Sequence, residues 1–135
     1  MNRIDAHAHI TAGDARFLEF LDARGLRVHN VSVCSALRGQ WDAEGSRTAV
    51  MRRLHAEHPE YFAWCTTFDL PRFDDPDYMD ETLAKLKRHF AEGATGCKLW
   101  RSIGMQWRKP SGEFILMDDP VFDPLYEFLA HAGKP

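Results

Sequence analysis

Hydrophobic and polar positions along this chain change period in a regular alternation. From Arg3 to Ile10 the period is two: Ile4, Ala6, Ala8 and Ile10 fall on one side, and Asp5, His7 and His9 on the other, as along a strand. Further extended segments are predicted at Leu26 to Cys34, with Val28, Val31 and Val33, at Tyr61 to Phe68 and at Thr95 to Arg101. All are dense in β-branched, aromatic or thiol side chains. Between them the period becomes helical. Phe17, Leu18 and Leu21 form one stripe, ended by Gly25, and Val50, Met51 and Leu54 form a second, with Ser46 as N-cap candidate and Pro59 beyond its end. In the third helix Asp75 is placed to cap and Pro76 to open the first turn. Met79, Leu83, Leu86 and Phe90 make its apolar stripe, and Gly93 stops it. A fourth helix is predicted from about Pro124 to Ala132, stopping at Gly133.

The resulting order, βαβαβαβα, predicts one α/β domain over residues 1–135, with parallel strands and outer helices. Gly133-Lys134-Pro135 reads as the lead-out of a helix toward another strand, while a full (β/α)8 barrel takes about 250 residues. The expected architecture is therefore the first four βα units of a TIM-type barrel. A free-standing doubly wound sheet competes with it. Against that sheet, the turn Ile10-Thr11-Ala12-Gly13-Asp14 lacks the glycine-rich cradle with which such sheets hold phosphate.

Composition narrows the function classes. An apolar share of 44% over 135 residues is enough for one core and excludes a disordered chain. Seventeen Lys and Arg against 20 Asp and Glu give a net charge of -3, without the basic excess that neutralising nucleic-acid phosphates requires. Neither a spanning apolar window nor an apolar run behind Met1-Asn2-Arg3-Ile4-Asp5 is present, so no membrane partner is predicted and the cytoplasm is the expected location. Cys34, Cys65 and Cys97 form no C-x-x-C pair and read as reduced, packed thiols.

The candidate chemistry lies at the first strand. In Asp5-Ala6-His7-Ala8-His9 a period of two sends both imidazoles and the carboxylate to one side, where two histidines can chelate one divalent cation and a carboxylate can orient a ring or join as ligand. The same pattern also fits two hydrogen-bonded or exposed histidines on an N-terminal strand. Lys98, on the alternation of Gly96 and Trp100 in the fourth strand, reads either as a buried-end cation paired with an acid in or near the site and placed to hold a substrate carboxylate or carbonyl, or as a solvated lysine. Arg101, Trp107 and Arg108 lie in the long connection that follows. There Pro110-Ser111-Gly112 predicts the turn of a small hairpin between Gln106–Arg108 and Glu113–Leu116, either a lid that offers cations to an anionic substrate or an ordinary solvent-facing hairpin. His29, Asn30, Thr66, Thr67 and Asp69 are polar groups at strand ends, each expected to be a satisfied structural group. His55, His58, His89 and His131 are expected at the helix surface.

Ile4-Asp5-Ala6-His7-Ala8-His9-Ile10 resembles the opening strand of the amidohydrolase superfamily, most closely its amidohydrolase 2 group of metal-dependent hydrolases and decarboxylases. Gly93-Ala94-Thr95-Gly96-Cys97-Lys98-Leu99-Trp100 resembles that group's fourth strand, and Asp119-Pro120-Val121-Phe122-Asp123-Pro124-Leu125-Tyr126 the helix leading to its fifth. The resemblance implies a catalytic divalent metal, usually zinc, on His7 and His9, with Asp5 in the same motif. In binuclear relatives a carbamylated lysine at the end of strand four bridges two metals, the minority case in this group; Lys98 is expected instead as a catalytic cation, and Arg101, Trp107 and Arg108, from their place in the loop after strand four, as contacts to a small-molecule substrate. It implies hydrolysis of a small organic acid, lactone or amide through a metal-activated water, or the related metal-assisted decarboxylation. The family's remaining ligands, on its strands five, six and eight, would lie beyond Pro135. A chain of this extent is thus expected to need the second half of a barrel or to pair with another copy.

Overall fold

The computed structural model describes residues 3–32, 46–99 and 103–135. Four strands, β1 (Arg3–Ala8), β2 (Leu26–Val31), β3 (Phe62–Thr67) and β4 (Cys97–Lys98), alternate with four helices, α1 (Ala15–Ala23), α2 (Ser46–Glu57), α3 (Tyr78–Ala91) and α4 (Asp123–His131). The strands run parallel in the order β1-β2-β3-β4, and the sheet curls into a half-barrel. Every neighbour in the sheet is a neighbour in sequence. A doubly wound sheet requires a point where strand order reverses, and the described strands have none, so that alternative falls.

Helix ends follow the local chemistry. Asp14 accepts from the Phe17 amide to cap α1, and Gly25, at φ 56°, turns the chain into β2. Gly93, at φ 94°, ends α3 as expected, where a Cβ would collide with the His55 imidazole. The start of α3 differs from the sequence reading. Asp75 accepts from the Asp77 amide and from Arg72 Nε (2.8 Å), so it caps the turn upstream and the helix opens only at Tyr78. α2 begins at Ser46, whose side chain lies outside the described residues, as do Val33 and Cys34 of the predicted second strand.

The core lies between the sheet and its helices. Ala8, Leu21, Val28, Leu54 and Phe62 fill one end, and Met51, Trp64 and Ala94 the middle. Phe68, Leu86, Cys97, Ile103, Ile115, Phe122, Leu125 and Leu129 fill the other end, with Phe90 and Phe128 stacked 6.0 Å apart at its margin. The predicted hairpin forms: Lys109 and Ile115 amides donate to the Glu113 and Trp107 carbonyls, and Trp107 and Ile115 anchor it to this last cluster. Beyond α4 the chain turns through Gly133 so that the Pro135 carbonyl accepts from the Cys97 amide at 2.8 Å. Gly96 is bonded to β3 and alternate backbone groups point to opposite edges, so Pro135 lies on the edge of β4 that faces away from β3.

The inner face of α3 differs from the one its apolar stripe predicts. His89 is fully buried, not at the surface: its Nδ1 lies 2.6 Å from Thr66 Oγ1 and its ring meets Trp64 edge-on at 5.4 Å. The residues of α3 turned deepest into the protein are Tyr78, Thr82, Leu86 and His89, a face offset by one position from the apolar stripe at three of its four places. His55 and His58 are half-buried, His55 Nδ1 donating to the Phe62 carbonyl, while His131 is exposed.

Candidate functional site

Strict alternation along β1 breaks down, with consequences for the site. Arg3, Ile4 and Asp5 stand opposite Leu26, Arg27 and Val28, but Ala8 stands opposite Asn30, so β1 carries one residue more than β2 between these points. Such a bulge re-aims side chains. Ala8 and Ile10 reach the helix-side core, whereas Ile4, expected on the same face, is 68% exposed. Asp5 bends onto its own strand, where Oδ1 accepts from the His7 amide at 3.1 Å.

Beyond the bulge the two imidazoles converge. His7 Nε2 and His9 Nε2 lie 3.2 Å apart, their rings edge to face with centroids 5.0 Å apart. His9 Nδ1 lies 2.9 Å from the Val31 carbonyl at the carboxyl end of β2. A carbonyl only accepts, so Nδ1 carries the proton and Nε2 of the neutral ring is left with its lone pair facing His7. Asn30 holds the end of this strand in place. It is buried, its Oδ1 accepts from the Ile10 amide (3.0 Å) and its Nδ2 donates to the Ile10 carbonyl (2.9 Å), so a side chain continues the ladder where β1 stops.

Lys98 reaches the pair from β4. Its Nζ lies 3.5 Å from His7 Nε2, and its carbonyl accepts from Thr67 Oγ1 at 2.8 Å, which ties β4 to β3. Cys65, on β3 beside Lys98, is buried. Burial pushes its thiol up to about 11, against the pull of the Lys98 charge, so it is neutral at pH 7. The other buried thiol, Cys97, is raised further, again by burial. His29 Nε2 and Thr95 Oγ1 lie 2.8 Å apart, and Asp69 pairs with Lys85 of α3.

The remaining candidates are engaged elsewhere. Trp107 packs into the hairpin's anchoring cluster, and Arg108 lies over the Phe114 ring at 3.8 Å and donates to the Gly112 carbonyl at 2.7 Å. Arg101 and Trp100 lie outside the described residues. Among the described residues no group of three or more histidine, cysteine or carboxylate side chains is arranged to hold a metal ion. His7, His9 and Lys98 are thus brought together, Asp5 stays on their strand's backbone, and Trp107 and Arg108 serve the hairpin.

The nitrogen geometry provides a test of fit. Two imidazole nitrogens at about 2.05 Å from one zinc, at a tetrahedral angle, lie about 3.3 Å apart, and the observed 3.2 Å matches. A ligating histidine ordinarily donates its other ring N–H to a carbonyl or carboxylate, as His9 does to Val31. No family model matches the chain, and no curated protein matches it. Among the described residues no helix is long and apolar enough to cross a membrane.

Proposed function

We propose that the protein is a metal-dependent hydrolase of the amidohydrolase type, its four βα units forming the first half of a TIM-type barrel. The observation that carries this reading is the pair of Nε2 atoms 3.2 Å apart at the carboxyl end of β1, one locked in its ligating tautomer by a backbone carbonyl. Active sites of (β/α) barrels are built at that end. His7 and His9 would hold a divalent cation, zinc fitting best. When bound, zinc supplies Lewis acidity, acidifying water and polarising a carbonyl or carboxyl oxygen. The chain's own residues do the rest: Val31 and Asn30 fix His9 and the end of β1, Asp5 fixes the His7 amide, and Lys98 presents a positive charge to an anionic or carbonyl substrate. Metal-assisted decarboxylation of a small acid would use the same set.

Catalytic zinc takes three protein ligands as a rule, and the described residues supply two. The complete site therefore draws on residues outside the described ones, in this chain, in further barrel units or in a second chain. The exposed edge of β1, with Ile4 68% exposed, favours completion by pairing. The test is cobalt(II) titration of the purified chain. Cobalt should bind weakly with a visible ligand-field band in the wild type and lose that band in His7→Ala/His9→Ala. Equal binding by the two proteins would remove the metal assignment.

A further inference from the structure

The end of the sheet opposite the histidine pair holds a cavity. α1 gives way at Gly25 to β2, and β3 is entered through Glu60 and Tyr61, while the ladder between β2 and β3 first closes at Val28 and Phe62. Ahead of that pairing lies an open cavity of about 200 Å³, lined by Leu21, Asp22, Leu26, Arg27, Glu60 and Tyr61. Leu26 opens β2 and the Val31 carbonyl at its other end holds His9, so about 16 Å of strand separates the cavity from the histidines. The wall carries both signs of charge. Tyr61 donates its hydroxyl to Asp22 Oδ1 at 3.1 Å, which fixes that carboxylate, and Glu60 adds a second one. The carbonyl end of α1, at Ala23, favours a cation on the same side. Arg27 supplies a guanidinium, whose paired N–H groups match a carboxylate, and buried Leu21 with half-buried Leu26 supplies the apolar part. An amine alone would sit beside Arg27 at a like-charge cost, and a carboxylate alone beside Asp22 and Glu60. A molecule with both charges meets each with its opposite. Drug-sized ligands take clefts of about 300–1,000 Å³, so this cavity suits a smaller one.

We infer that this cavity binds an aliphatic α-amino acid, its ammonium on Asp22 and Glu60, its carboxylate on Arg27 and its side chain against Leu21 and Leu26. An α-amino acid sets two opposite charges and an apolar branch around one carbon, which matches a wall with those three kinds of group. The cavity is separate from the histidine pair, so the inference does not rest on the metal reading.

The test is chemical-shift titration of the isotope-labelled 135-residue chain with L-leucine, with 4-methylpentanoate, which lacks the ammonium, and with 3-methylbutylamine, which lacks the carboxylate. L-leucine should shift the Leu26 and Tyr61 amides and the Leu21 methyl groups saturably. Each truncated analogue should bind the wild type about threefold more weakly, as expected for loss of one charged contact near the surface. Arg27→Met should weaken L-leucine and 4-methylpentanoate by about the same factor and leave 3-methylbutylamine alone, while Glu60→Gln should weaken L-leucine and 3-methylbutylamine and leave 4-methylpentanoate alone. Both replaced side chains are exposed, so neither change touches the core, and the comparison of the three ligands on the wild type needs no variant. Absence of saturable shifts at Leu26 and Tyr61, an analogue that binds as tightly as L-leucine, or an L-leucine affinity indifferent to both substitutions would overturn the inference. None of these readouts involves His7 or His9, so a failure of the metal reading leaves them standing.

Discussion

His89 is the most instructive side chain to perturb. Its ring is fully buried against Trp64 and Thr66, and burial first, then the charges of Arg52, Arg88 and Lys85, push its pKa down from 6.5 to about 4, with Asp69 acting weakly the other way. A displacement of that size corresponds to about 3 kcal/mol between the two protonation states. The direction follows from proton counting. Below pH 6.5 the unfolded chain takes up a proton on this ring, while the folded chain takes it up only near pH 4. The unfolded state therefore binds more protons throughout that window, so stability falls as pH drops from 6.5 toward 4 and levels off below. Above 6.5 this ring contributes no slope. His89→Gln keeps a hydrogen-bonding partner for Thr66 Oγ1 and cannot titrate. Urea unfolding monitored by tryptophan fluorescence, with chelator present so that His7 and His9 carry no metal, gives the stability of both proteins from pH 7.5 to 4.5. The variant should lose about 1–2 kcal/mol at pH 7.5 through poorer packing on Trp64. It should then overtake or match the wild type near pH 4.5. The other titrating groups are common to both proteins and cancel in the difference. Two pH profiles that stay parallel within about 0.5 kcal/mol would refute the assignment of a neutral, buried imidazole.

Asn30→Ala leaves the Ile10 amide and carbonyl without their partners and should cost about 2–3 kcal/mol in chemical unfolding. Because Ile10 follows His9, it should also weaken cobalt binding, a readout that a remote destabilising change would leave alone. Gly93→Ala forces a side chain to φ 94° against His55 and should lower stability by about 1–2 kcal/mol, seen as a fall in melting temperature. Arg108→Ala removes a ring contact and one carbonyl bond within the hairpin, so it should cost less than about 1 kcal/mol and leave the cobalt titration unchanged. A change in that titration would return Arg108 to the site. Ile4→Lys, on the exposed edge strand, should shift light scattering toward the monomer, and an unaltered mass would count against pairing through β1.

Reading by period worked where a face was apolar throughout and failed where polar atoms were buried. The stripe Met79, Leu83, Leu86 and Phe90 correctly marked α3 as a core helix, but its innermost face holds Tyr78, Thr82 and His89, whose polar atoms make hydropathy an unreliable guide to depth. Their burial becomes intelligible only with the partners in place, Asp69 for the Tyr78 hydroxyl and Thr66 for His89, and those sit on β3 and the turn beyond it. Likewise His7, His9 and Lys98 were identifiable as residue types at a spacing, but what brings the pair to 3.2 Å is not alternation. It is the extra residue in β1, the Val31 carbonyl and the Asn30 amide, and a carbonyl has no signature in any sequence.

That difference bears on how the site is built. Had β1 stayed regular, Asp5, His7 and His9 would have shared one face on equal terms. With the bulge, Asp5 is spent on the backbone and the two imidazoles are left facing each other with a lysine beside them.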